Sequence, residues 1–162
     1  MMKNLLNTTL SFISCTKSMI TWFHSAHHVT KGSSFSGDHV NLFGEIYNEI
    51  IDDFDALVEK AIVLCDSEEV ACPITQTQIS SNILKSVSSP VGLHEDQIAM
   101  IALDMIRMHL KNLNSYYDYL DSENSLSLGM DDHLAASANT YEKFEYLLGQ
   151  RVKKGNNNLW TR

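Results

Sequence analysis

Helix breakers are scarce in this chain, with two prolines and seven glycines among 162 residues. Proline removes a backbone donor and glycine adds ordering entropy, so a sequence poor in both tolerates long helices. Cysteine is thin as well. Cys15, Cys65 and Cys72 are odd in number and form no close-spaced pair, which fits neither a disulfide framework nor a thiolate metal site and points to a reducing compartment. Basic charge is short: 12 Lys and Arg stand against 20 Asp and Glu, a net charge of −8. A protein whose whole surface grips nucleic acid or anionic lipid needs the opposite field. Long apolar runs are missing too. The opening MMKNLLNTTLSFISC is interrupted by Asn7, Thr8, Thr9 and Ser11, with no clear small-x-small cleavage site after it, and no stretch approaches the roughly 20 apolar residues of a membrane span. We expect a cytoplasmic protein with no membrane partner.

What is present is ordinary globular material, 44% hydrophobic and 20% charged, in a length that suits one domain over residues 1–162. Its pattern is helical throughout. Leu6, Leu10, Ile13, Ile20 and Phe23 recur at helical spacing and predict a first helix over 5–29, closed by Lys31-Gly32. Asp38 suits the N-cap of a second helix, whose apolar face runs through Phe43, Ile46, Tyr47, Ile50, Phe54, Leu57, Val58 and Ala61 to about Cys65. Residues 66–92 hold both prolines and a short helical pattern at Ile79, Ile83, Leu84 and Val87. Further helices are predicted over 93–120 and from Met130 to about Val152, the latter capped by Asp131 or Asp132. The expected architecture is all-α: a four-helix bundle with a long crossover, containing a short helix, between helices two and three, the arrangement of ferritin-like bundles.

Two groups of residues carry possible chemistry. Ten of the twenty acids lie between Asp38 and Glu69, and Glu45, Glu49, Asp52, Asp55 and Glu59, spaced four, three, three and four apart, form one stripe on the second helix. That stripe lies nearly opposite the apolar face, so it is either a solvated surface or a set of carboxylates that meets a partner subunit. The second group is FHSAHHVTKG, Phe23–Gly32, with three histidines in five positions. His27 falls one heptad beyond Ile20 on the apolar stripe, whereas His24 and His28 read as packed or surface residues. Oxygen ligands with a few imidazoles suit iron or manganese. His94, His109 and His133 are isolated, with capping the expected role of His94 and His133, and Met100, Met105 and Met108 read as flexible core. Glu-x-x-His, the signature of classical ferritin helices, does not occur. The last twelve residues, RVKKGNNNLWTR, form a basic tail carrying Arg151, Lys153, Lys154 and Arg162.

The segment FHSAHHVTKGSSFSGDHVNLFGEIYNEIIDDFDALVEKA resembles the first helix-loop-helix of Dps-type miniferritins, the DNA-protection-in-starvation branch of the ferritin-like proteins. The matching residues are a histidine at the end of the first helix, a basic residue with Gly, then Phe, a second histidine, a Phe-x-x-Leu/Ile-Tyr stretch and an Asp-x-x-x-Glu pair. GMDDHLAASANTYEKFEYLLGQRV is similar to the family's last helix. The resemblance implies His27 and His39 as metal ligands from one subunit, with Asp55 and Glu59 from the next. These would build an inter-subunit di-iron site, for which manganese or zinc are alternatives, in a homo-oligomer, dodecameric in the family, that oxidises and stores ferrous iron. It also implies DNA as a partner through basic tails, here Arg151, Lys153, Lys154 and Arg162.

Two departures from the family pattern stand out. Phe43 occupies the place of an acid four residues after the second histidine, and the interval from His39 to Asp55 is one residue longer. On a regular helix one residue rotates the two positions by about 100° relative to each other, which only a bulge or a later helix start would absorb. Glu45, Glu49 and Asp52 are the candidate substitute ligands. The alternative function is a ferritin-like bundle with a degenerate metal site, serving as a structural or assembly protein.

Overall fold

The apolar stripe of the first segment folds as α1 (Met2–Val29), burying Leu10, Ile13, Met19, Phe23 and Ala26. The computed structural model describes the backbone of residues 2–156 and the side chains of residues 3–153. Gly32, at a φ of +91°, turns the chain after α1, a conformation that L side chains rarely adopt. A π-helix over Gly37–Gly44 then runs directly into α2 (Glu45–Cys65), which ends at Asp66 in the left-handed region. A 3-10 turn (Glu68–Ala71) leads to α3 (Pro73–Leu84), with proline in its first turn, where its missing N–H has no intrahelical partner to lose. Two long helices come next, α4 (Glu95–Ser122) and α5 (Leu128–Asn156). No strand occurs among the described residues.

The four long helices close into a bundle: α1 packs on α2 and α4, and α5 packs on α4 and α2. Phe23, Phe43, Ile46, Ile50, Ile98, Ile106, Leu120, Phe144 and Leu148 are fully buried at its centre. Each contributes about 1.5–3 kcal/mol over its exposed state. At one end, which we call the upper end, Glu95 at the start of α4 accepts from Ser33 Oγ (3.0 Å) and from the Ser34 amide (3.2 Å) in the α1–π loop. The starts of π-α2 and α4 are therefore at the same end, and residues 66–94 must climb back along the bundle. They climb against α1, through Lys17 Nζ to Gln76 Oε1 (2.9 Å), Ser80 Oγ to the Ser14 carbonyl (2.8 Å) and Trp22 Nε1 to the Ser88 carbonyl (2.9 Å).

The expected helices are present, but several ends differ. Asp38 caps nothing: helical backbone begins before it, its own N–H bonds the Ser34 carbonyl, and its side chain is buried against α5. The last helix is capped by Ser127, whose Oγ accepts the Met130 N–H (3.2 Å), rather than by Asp131 or Asp132. His94 does cap α4, accepting from the Asp96 amide while the Gln97 side chain accepts from its own N–H. Met100 and Met108 are exposed, not core.

Candidate metal centre

The π segment decides where the second histidine sits. A π-helix bonds i to i+5 and so holds about one residue more per turn than an α-helix, which lets the chain take in an extra residue without rotating the helix beyond it. Here it includes His39 and runs to the start of α2, and the His27 and His39 rings stack, 3.9 Å between centroids and 14° between planes. Each Nδ1 lies 2.7 Å from the other residue's backbone oxygen. A carbonyl only accepts, so each Nδ1 carries a proton, and the nitrogen each ring has for a metal is Nε2. A backbone carbonyl that fixes the tautomer in this way is the usual support of a metal-binding histidine.

Two further contacts hold the pair. Phe35 stacks on His39 at 4.9 Å and 19°. Gly44 lies under both partners: a Cβ there would stand 2.8 Å from the His39 oxygen and 3.2 Å from His27 Nδ1. A side chain at Gly44 would have to push the clasp apart.

The carboxylates are elsewhere. Glu49, Asp52, Asp55 and Glu59 are exposed along α2, while Glu45 is half-buried and paired with Lys143 Nζ at 2.5 Å. At 1.5 Å per residue, Asp55 lies about 15 Å below the start of α2 and Glu59 about 21 Å below it. The helix thus keeps Asp55 and Glu59 away from the two histidines of their own chain. Among the described residues no group of three or more His, Cys, Asp or Glu is placed to hold a metal ion. Phe43 is fully buried near Phe23, ring centroids 6.4 Å apart, so that position belongs to the core. His24 and His28 are exposed but not independent: their Nε2 atoms approach to 2.9 Å, and His24 stacks on Tyr47 at 4.5 Å.

Arg151 is not a free cation of the tail. Its Nε donates to both carboxylate oxygens of Asp38 at 3.0 Å, and its Nη1 donates to Asp96 at 2.7 Å, tying α5 to the π segment and α4. Burial pushes the Asp38 carboxyl up, against the pull of Arg151. Burial alone would lower the Arg151 guanidinium, but its bonds to Asp96 and Asp38 reverse this and raise it. Lys153 is exposed on the same helix; the Lys154 side chain and Arg162 lie outside the described residues.

A polar group that sequence reasoning missed lies between α2 and α5. Asp53 accepts from Tyr141 OH at 2.7 Å and from Ser137 Oγ, with His133 Nε2 3.5 Å away. Burial foremost, with the Asp53 charge and hydrogen bond adding to it, pushes the Tyr141 phenol well up. Burial lowers His133, against the pull of Asp53, so His133 serves this group and not a helix cap. The signal was available: Ile46, Ile50, Asp53 and Leu57 recur at core spacing, which puts an acid on the buried face of α2.

In comparisons with known proteins, no family model matches the chain, and no curated protein matches it significantly. Among the described residues, no helix is long and apolar enough to cross a membrane.

Proposed function

We propose that the chain is the subunit of a Dps-like miniferritin with a ferritin-like crossover, which assembles as a cytoplasmic homo-oligomer and oxidises ferrous iron at a site shared by two copies. The observation that carries this reading is the reciprocal clasp of His27 and His39, which commits both Nδ1 atoms and leaves both Nε2 atoms for a metal. Two imidazoles are half a site. Asp55 and Glu59 of a second copy, running antiparallel along α2, would complete it with oxygen donors, which accounts for carboxylates opposite the apolar face of their own bundle. Iron is the substrate: two ferrous ions give two electrons, and dioxygen takes them with two protons to leave hydrogen peroxide, or peroxide takes them with two protons to leave water. Glu45, engaged by Lys143, is the weakest of the substitute ligands; Glu49 and Asp52 remain open to a partner.

The test starts from the mass in solution. Ferrous iron is added anaerobically at about two per subunit, as for a two-metal site, then oxygen or peroxide is admitted and ferric absorbance followed. Oxidation well above buffer by an oligomer, abolished in His27→Ala and Glu59→Ala with assembly intact, is the expected result. A monomer, or rates equal to buffer, overturns the reading.

The second reading, a bundle with a degenerate site acting as a structural or assembly protein, draws on Phe43, whose full burial supplies no acid beside His39. An oligomer without oxidation selects it. DNA protection is a further step, for which Arg151 offers little because its charge is engaged at the bundle end; exposed Lys153 is the described cation open to phosphate. A salt-sensitive gel shift, lost when residues 152–162 are removed, tests that step.

A further inference from the structure

The histidines of this chain differ sharply in what they can meet. His109 is 1% exposed, and burial pushes its pKa down from 6.5 to about 4, against the charge of Asp53, so its neutral ring is shut inside the bundle. His27 and His39 commit their Nδ1 atoms to the clasp. His24 and His28 are exposed on the last two turns of α1, four residues apart, the spacing that sets two side chains one above the other on a helix face.

Their rings meet by their nitrogens. The two Nε2 atoms are 2.9 Å apart while the ring centres are 4.4 Å apart, so the nitrogens are the facing ends of the rings, and one Nε2–H donates to the lone pair of the other. At a metal–imidazole bond of about 2.0–2.1 Å, two nitrogens stand about 2.9 Å apart if their bonds meet at 90° and about 3.3 Å apart at the tetrahedral angle. The observed span fits the right angle. Right angles belong to the square-planar and tetragonal sites of Cu2+ and Ni2+, metals that imidazole suits, whereas structural zinc is tetrahedral.

The pair is also held from both sides. His24 lies flat on Tyr47 of α2, 4.5 Å between centroids and 14° between planes. His28 stands edge-on to His24 and to His27, whose ring the clasp fixes. A span formed in advance spares a ligand the cost of ordering two free side chains. Among the described residues no third His, Cys, Asp or Glu completes a metal group here, so the remaining coordination positions fall to water.

We propose that His24 and His28 chelate a divalent late first-row metal that takes its ligands at right angles, Cu2+ or Ni2+, through both Nε2 atoms. The proton on one Nε2 passes by way of water to the Nδ1 of the same ring, which frees both lone pairs for the metal. Fe2+ stands below Ni2+ and Cu2+ in affinity for such donors, so this site is separate from the proposed iron site and uses one copy of the chain.

Ni2+ and Zn2+, which do not oxidise the cysteines, are the probes, each titrated calorimetrically into the full-length protein carrying His39→Gln, so that the clasp cannot supply two imidazoles. Saturable binding of one Ni2+ per chain, tighter than Zn2+, is expected. His24→Gln and His28→Gln, added singly, are each expected to weaken Ni2+ by at least about tenfold, since even groups that only support a metal ligand are worth that much. Both positions are exposed, so neither change enters the core. No saturable Ni2+ binding, Zn2+ bound at least as tightly as Ni2+, or an affinity unchanged by either substitution overturns the proposal. If His39→Gln does not fold, the same comparisons in the wild-type protein decide. The iron-oxidation assay can fail without touching any of these outcomes.

Discussion

His27 and His39 hold each other by the backbone: each ring donates Nδ1–H to the other residue's carbonyl oxygen, at 2.7 Å in both directions. Twelve residues and a change of helix type separate them, so the clasp pins the end of α1 to the start of the second helix while leaving the two Nε2 atoms uncommitted. Both properties are open to mutation.

Gly44→Ala is expected to open the clasp. Its Cβ would meet the His39 oxygen at 2.8 Å, a backbone atom that cannot swing aside, so a loss of about 1–3 kcal/mol is expected in urea unfolding. Imidazole proton resonances of His27 and His39 should shift with it. Gly37→Ala is the control: nothing lies within 4 Å of its Cβ, and the change should be neutral or slightly stabilising.

Deleting Val40, which is 61% exposed, should convert the π segment to ordinary α-helix. The core face of α2 fixes everything after it, so the rotation of about 100° falls on His39. We expect a folded bundle by circular dichroism in which the histidine rings no longer stack. Retention of the clasp after the deletion would refute the role given to the π-helix.

Arg151→Met leaves the Asp38 carboxylate buried alone. The two side chains are 12% and 4% exposed, so the pair counts as buried, and breaking it should cost about 3 kcal/mol at pH 7. Burial raises the Asp38 pKa, and without Arg151 it rises further, so the folded state binds this proton more readily than the unfolded chain. That stability is present at low pH and lost as pH rises. The gap between variant and wild type should therefore narrow towards pH 4.

His109 sets the opposite dependence. Its folded pKa of about 4 lies below the ordinary 6.5, so the unfolded chain binds the extra proton. Its contribution is full above pH 6.5 and disappears as pH falls towards 4. Stability should drop by about 2 kcal/mol between pH 7.5 and 5, a loss absent in His109→Leu.

The helices themselves were readable because Leu, Ile and Phe recur at 3.6-residue spacing from α1 to α5, and tertiary packing reinforced that pattern. Helix ends were less so. Asp38 has the chemistry of an N-cap, but a cationic partner 113 residues away takes its carboxylate, and no local rule reveals such a pairing. His27 and His39 could be named from the sequence, and their stacking needed the fold. Met105 and Met108 share the periodicity of core residues, but they line an open cavity between α1 and α4, and Met108 is exposed. Asp53 was legible as an acid in core register, beside the more conspicuous stripe of Asp52 and Asp55.

The π-helix has a consequence for how this chain can vary. Upstream of Gly37 and downstream of Gly44 the backbone is phased by different neighbours, the histidine end by α1 and the carboxylate end by the core. The segment between them works like a slip coupling on a shaft. Its wide turns take up one extra residue, and without that residue the histidine end of the rod would turn out of aim with the carboxylate end.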